Sequence, residues 1–233
     1  MSVPSTRRQV LHIAAAAPLL GLVSAGGCAS TRPGPLGGGD RRRLAEPGPM
    51  VPPVPAVLLT VNGAPGDPDE ISVVWTFVVN GDPPQIGVSI ADEHVARDLV
   101  SMHREFVINV PSAAIVEAFD VVDMNSSKVS DKFALSGLTR GRALEVDAPT
   151  VLEAPIQVEC RVFREIEVPP MRRVAFAEVV ATTVLEGVCA PDGRLNVESA
   201  DFFGMTAGSG EFYTMGRSVG HIGQSVGRTD IKY

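Results

Sequence analysis

The run from Val158 to Val168 constrains the fold of this chain more than any other segment. Val158, Cys160, Val162, Ile166 and Val168 alternate with Glu159, Arg161, Glu165 and Glu167, and a period of two sends alternate side chains to opposite faces of an extended strand. The pattern predicts a half-buried strand with its apolar side inward and its charged side in water. Shorter apolar runs, punctuated by Pro, Gly, Asn and Asp, predict further strands at Val57–Val61, Ile71–Val79, Ile86–Ile90, Glu105–Val110 and Val174–Leu185. The nearly continuous apolar character of Ile71 to Val79 predicts burial on both faces. Between the Ile86 and Glu105 runs, Val95, Leu99 and Met102 recur at helical spacing, which makes a strand-helix-strand unit. Ile115, Val116, Phe119 and Val122 predict a second short helix, and Phe202, Phe203, Phe212 and Tyr213 are expected to pack the C-terminal tail down.

Six or so strands with helices interspersed, and no repeated strand-helix units of equal length, predict a mainly β fold with short helices. The barrel, closed or partly closed, is favoured over a doubly wound parallel sheet. With 45% hydrophobic residues in a chain of 233, one sizeable core is within reach. Charge narrows the function. Residues 1–50 carry six Lys and Arg against two Asp and Glu, so the remainder stands at −11 where the whole chain stands at −7. A body that acidic is repelled by a phosphate backbone, which argues against nucleic-acid binding.

The N-terminus reads as an address. Arg7 and Arg8 precede an apolar stretch, Ile13 to Val23, that Pro18 interrupts and that ends in small residues from Ser24 to Ala29. This is similar to a twin-arginine export signal. Residues 1–28 are therefore expected to direct export to the periplasm or cell envelope, 29–55 to form a disordered linker rich in Pro, Gly and Arg, and 56–233 to form the folded domain. Cys28 carries two readings. Small residues before it resemble a lipoprotein processing box, which would anchor the protein to the membrane through a lipidated Cys28, yet Ala25 stands where such boxes usually carry a larger aliphatic residue. Export would let Cys160 and Cys189 form a disulfide, but Cys160 lies on the apolar face of its strand, where a buried thiol is the commoner outcome. The four histidines are scattered, and no metal-ligand spacing is present.

Taken in order, several segments resemble the flavin reductase-like proteins of the flavoredoxin type. They are Ile71-Ser72-Val73-Val74-Trp75-Thr76, Asp82-Pro83-Pro84, Glu105 through Pro111, Ser130-Asp131-Lys132-Phe133, Gly137-Leu138-Thr139, Ala148-Pro149 with Glu159-Cys160-Arg161-Val162, Ala177-Glu178-Val179-Val180, and Glu211-Phe212-Tyr213 with Met215-Gly216. The match runs over roughly residues 50 to 227 in the family's order. The resemblance implies an FMN-binding split β-barrel that works as a homodimer. It also implies an FMN-dependent oxidoreductase that passes electrons from NAD(P)H or a protein donor to an acceptor. An exported protein favours the protein donor, because free NAD(P)H is scarce outside the cytoplasm.

The same resemblance nominates site residues. The strand through Val74, Trp75 and Thr76 would meet the polar edge of the flavin ring, with Ser72 and Asn109 as hydroxyl and amide donors. Lys132 would face the phosphate or a ring oxygen, and Phe133 would wall the slot. Each has an ordinary alternative: Trp75 as core, Lys132 as a solvated first-turn residue, Asn109 as a partner for backbone groups where its strand ends. One departure stands out at Ala91-Asp92-Glu93-His94-Val95-Ala96-Arg97, where relatives commonly carry basic and hydroxyl residues. Asp92 and Glu93 beside a phosphate dianion would weaken binding unless they point to solvent and His94 and Arg97 turn inward. That stretch supports the alternative of a non-catalytic exported binding module that has lost or changed its cofactor.

Overall fold

The computed structural model describes residues 46–190, 193–207 and 209–228. The expected export signal at 1–28, Cys28 and residues 29–45 of the expected linker lie outside the described residues. From Pro47 onward the chain forms one compact unit.

Six antiparallel strands close on themselves. β1 (Val54–Val61), β2 (Glu70–Gly81) and β3 (Pro84–Ala91) form a meander. β4 (Glu105–Val110) pairs with β1 on one side, through Leu59 opposite Ile108, and with β7 (Ile156–Val168) on the other. β8 (Arg172–Val184) joins β7 to β3 and completes the ring. Two short strands, β5 (Arg140–Arg142) and β6 (Pro149–Val151), pair outside it, while β9 (Phe203–Met205) and β10 (Phe212–Thr214) extend the sheet from β1. The helices are α1 (Ala96–His103), α2 (Val116–Met124), α3 (Lys132–Ser136) and α4 (Val197–Ala200).

Two apolar cores share β1 as their common wall, and for this reason Ala56 through Val61 are all buried. Val57, Leu59 and Val61 face the barrel interior with Val74, Val88, Ile90, Phe106 and Cys160, and Ala96, Leu99 and Val100 of α1 pack against this set. Ala56 and Leu58 face outward with Ile71 and Val73 of β2, where Phe119 and Val122 of α2, Phe133 of α3 and Phe203 of β9 cover them. Phe119, Phe203 and Phe212 meet edge to face with ring centres 5.3–5.5 Å apart, the geometry that their ring quadrupoles favour. Phe202 is buried as expected, but Tyr213 is 56% exposed.

Two expectations about burial are corrected. In β7, Glu159 is buried and Ile166 and Val168 are exposed. Register shifts at Glu159/Cys160 and Val162/Arg164 break the period of two, so Glu159 and Cys160 both turn away from water. In β2, burial ends at Val74, and every residue from Trp75 to Gly81 is exposed except the partly buried Thr76. Here the β2–β3 hairpin runs past the end of β1, whose pairing stops at Ala56 opposite Trp75, so no second layer covers it. Cys160 and Cys189 are both free thiols, and burial together with the charge of Glu159 pushes the Cys160 thiol well above its ordinary pKa.

Candidate functional site at the barrel mouth

Alternation along β2 puts Glu70, Ser72 and Val74 on one face. Val74 is inside the barrel core, which leaves Glu70 and Ser72 near the strand's start. Lys132 reaches them from α3. That five-residue helix is fixed at both ends: Asp131 Oδ1 accepts from the N–H groups of Phe133 (3.0 Å) and Ala134 (3.3 Å), and Gly137 ends the helix in the left-handed region at φ 72°, a conformation glycine adopts without strain. Burial would raise the Asp131 carboxyl, but the Arg140 hydrogen bond and those two N–H groups outweigh it and hold Asp131 below the usual carboxylate range.

So placed, Lys132 is 6% exposed, with Nζ 3.1 Å from Glu70 Oε1. Nζ also donates to Ser72 Oγ at 3.2 Å, and the Ser72 hydroxyl donates to Glu70 at 2.5 Å. Ammonium, carboxylate and hydroxyl thus form a closed, buried triangle, in which each charge depends on the other as its partner.

Two adjoining cavities flank this triangle, of about 280 and 310 Å³. They share Val95, Ser127, Lys128 and Lys132 as a common wall. Each alone lies near the lower limit of about 300 Å³ for small-molecule pockets. Glu93, His94, Asp123, Asn125 and Ser126 line the first, while Asp67, Asp69, Glu70 and Asp131 line the second. The loop around the second cavity packs so closely that a Cβ on Gly63 would lie 2.3 Å from the Pro68 carbonyl oxygen. His94 Nδ1 is buried without a hydrogen-bond partner. Burial, with the Lys132 charge, lowers the His94 pKa and favours the neutral ring, while burial raises the Asp123 carboxyl.

The nominated residues separate into two groups. Ser72, Lys132 and His94 come together at the mouth, with Phe133 beside Lys132 and buried beneath the Arg140 guanidinium, 4.2 Å from its ring centre. Val74 is core. Asn109 is fully buried and fully used within the protein: it donates to Leu58 O (3.1 Å) and Thr60 Oγ1 (3.0 Å) and accepts from Val151 N–H (2.8 Å). Arg97 is tied to Asp92 at 3.0 Å and Asp98 at 2.9 Å, so Asp92 is matched by a cation of its own turn. Trp75 stands on the opposite face of β2 with the Arg172 guanidinium 3.9 Å over its ring, and Thr76 Oγ1 donates to Gly87 O at 3.0 Å. From Thr76 onward β2 pairs with β3 alone, so one edge of its backbone is open.

Reading the sequence missed Glu70, Asp123, Lys128 and Arg172. For Glu70 a signal existed, since it precedes Ser72 by two places and so shares its face. Nothing local marked Asp123 or Arg172.

The residues present suit a polar, aromatic ligand such as a flavin. Adjoining cavities, an unpartnered ring nitrogen and hydroxyl and amide groups on the 125–128 segment supply room and partners for a polar chain. The open edge of β2 supplies N–H and C=O groups for a ring rim. Among the described residues, no group of three or more His, Cys, Asp or Glu is gathered to hold a metal.

Comparison with known proteins agrees with this architecture. The model of the "Flavin reductase like domain" family matches residues 52–194. An uncharacterized protein of Pyrococcus abyssi is 30% identical over 45% of this chain and 60% of its own length, so the chain spans about three fifths of that relative. Flavoredoxin of Desulfovibrio vulgaris superposes with a TM-score of 0.71 at 24% identity, over 78% of this chain and 97% of that one. Nitrilotriacetate monooxygenase component B from Bacillus cereus gives 0.67 at 22%, over 75% and 89%.

Proposed function

Since this chain belongs to the flavin reductase-like family, we propose that it is a flavin-dependent oxidoreductase whose flavin is FMN. The observation that carries the reading is the mouth itself, where Lys132 lines two adjoining cavities and His94, whose buried Nδ1 has no hydrogen-bond partner, lines one of them. The flavin, when bound, supplies the hydride and electron chemistry, so no acid–base pair is required of the protein. What the chain contributes is placement. Glu70 and Ser72 keep the Lys132 ammonium in position. Lys132, Lys128, His94 and the hydroxyls of Ser126 and Ser127 are the groups that would hold the polar chain. Thr76 and its successors would meet the ring edge through their open backbone, and the apolar α2 and α3 packing shields the site's outer wall from water.

The reading extends to assembly and address. Phe77 (44% exposed), Phe163 (51%) and Val78 (78%) lie with Phe176 on the projecting arm of β2, β3, β7 and β8. An exposed apolar strip of this kind suits a homodimer contact. The twin-arginine-like segment suits export to the cell envelope, with a redox protein as the electron donor, and lipidation of Cys28 would add a membrane anchor. The mass of the mature N-terminus reads both features of the address.

An absorbance spectrum tests the core of the proposal. Purified full-length protein is expected to keep a flavin spectrum through gel filtration. Colourless, folded protein that rejects added FMN would overturn it and leave the non-catalytic binding module.

A further inference from the structure

After Met215, whose N–H donates to Phe202 O at 2.8 Å, the chain leaves the sheet. Ser218 N–H still reaches Glu198 of α4 at 3.4 Å. Beyond it the backbone turns on itself. His221 O accepts Gln224 N–H at 3.3 Å, Gly223 O accepts the N–H groups of Val226 at 3.1 Å and Arg228 at 3.0 Å, and Gln224 Oε1 accepts His221 N–H at 3.1 Å. Gly223 and Gly227 bracket this turn in the left-handed region, at φ 89° and 66°. The result is a small knob at the end of the described chain. The pattern Gly-x-Ser-Val-Gly occurs twice, at 216–220 and 223–227. Both of its valines, Val219 (87%) and Val226, are exposed, and so is Ile222 between them. A fixed turn that holds three aliphatic side chains in water offers a contact surface.

The knob is also the cationic part of an acidic body. Residues 212–228 carry Arg217, His221 and Arg228 and no Asp or Glu, whereas residues 51–211 carry 11 Lys and Arg against 24 Asp and Glu. The matching surface is the outer rim of the mouth. Met124 ends α2 and Val129 (85%) follows the segment that walls both cavities, and both are exposed. Glu93 and Asp123 line the first cavity together with Met124, and Asp120 precedes Met124 by one helical turn. Among the described residues, none of these three carboxylates has a cation within 4.0 Å. The Asp120 charge adds to burial in raising the Asp123 carboxyl. Lys128 is the lining cation left to offset them, since Lys132 is paired with Glu70.

We infer that the knob of one copy docks on the mouth rim of a second copy, with Val219, Ile222 and Val226 against Met124 and Val129 and with Arg217 against Glu93, Asp120 and Asp123. Charge selects this occupant. An anionic lipid surface is repelled by the acidic body, while knob and rim complement one another. A twofold axis makes the same contact twice, so each mouth is closed by residues of the other copy. The inference does not draw on the identity of the ligand in the mouth.

Disulfide trapping between full-length chains tests it. Cys28 and Cys189 are replaced by Ser, Cys160 stays buried, and each chain gains one cysteine, V219C or M124C. The two chains are mixed and oxidised, and bridged dimers are read on a non-reducing gel. Bridging is expected to run at least tenfold faster than between V219C and L144C, whose position is exposed and lines neither cavity. Neutralising the rim with E93Q, D120N and D123N in the M124C chain is expected to slow it about tenfold. V129C replaces M124C if that variant folds poorly. The inference is overturned if the mixed pair bridges no faster than the L144C control, or if rim neutralisation leaves the rate unchanged. A chain carrying both V219C and M124C is expected to give bridged dimers; a bridge formed only within single chains would seat the knob on its own mouth and overturn the inference as well.

Discussion

Glu159 and Glu70 are both buried, 1% and 3% exposed, yet their surroundings differ. Glu159 lies in the wall between β7 and the 143–148 loop, where its carboxylate accepts the N–H groups of Leu144 (2.8 Å), Glu145 (2.6 Å) and Val146 (3.2 Å). Glu70 lies at the barrel mouth, where a lysine and a serine satisfy it and one of the two cavities reaches it. The same desolvation problem has two solutions. Peptide dipoles belong to the fold and cannot be lent, so the Glu159 cage is architecture. An ammonium on a flexible stem can be shared with an incoming ligand, so the Glu70–Lys132 pair can serve as both support and site.

The largest effect is expected from breaking the pair on one side only. Lys132→Met strands the buried Glu70 charge and should cost about 3–5 kcal/mol in urea denaturation. Adding Glu70→Gln to that variant should restore most of the loss, because both charges are then gone. If the two substitutions are simply additive, the pair is not a coupled unit.

Glu159→Ala should cost roughly 3 kcal/mol, since it leaves three N–H groups without their acceptor, and it should leave flavin affinity unchanged in the protein that remains folded. A loss of affinity as large as that of a Lys132 variant would erase the distinction between cage and site.

Asp131→Ala removes the α3 cap and should cost about 1 kcal/mol at neutral pH. The folded Asp131 pKa is held below the ordinary 3.8, so its contribution is present above that value and lost as pH falls through the folded pKa. Parent and variant stability curves should therefore converge in acid; parallel curves would show that the cap is not what matters.

The smallest expected effect is the pH slope at His94. Burial lowers its folded pKa from 6.5, so the unfolded chain takes up the proton first and stability declines as pH drops below 6.5. His94→Gln should flatten the stability profile between about pH 6.5 and 5. An unchanged slope would show that the ring is not buried neutral.

Much of the barrel was legible in the sequence because it depends on local period. β4 spans the expected Glu105–Val110, β1, β2, β3 and β7 hold their expected runs and extend them by one to three residues at an end, and β8 starts two residues early and stops one short of the expected Leu185. The three-residue strands β5, β6, β9 and β10 carry too few alternations to register. What period cannot show is where a strand leaves the body of the protein. The apolar run from Trp75 to Val79 reads like the buried run before it, and only the end of β1 at that level exposes it. The site was half legible for a related reason. Lys132 and Ser72 follow from the family resemblance, but the partner that cancels the lysine's charge lies 62 positions away, and contacts at that distance leave no trace in spacing. Asn109 shows the opposite case, since its bonds to Leu58, Thr60 and Val151 are the backbone-satisfying role that an amide near a strand end performs.

The central claim is that the charged pair at the mouth holds the ligand as well as the fold. Its most direct measurement compares flavin retention, by visible absorbance after gel filtration, in FMN-loaded full-length protein and in the double variant Glu70→Gln with Lys132→Met. The expected result is a yellow parent beside a double variant that elutes folded at the same volume and colourless, with FMN affinity at least tenfold weaker. A folded double variant that keeps as much flavin as the parent would contradict it.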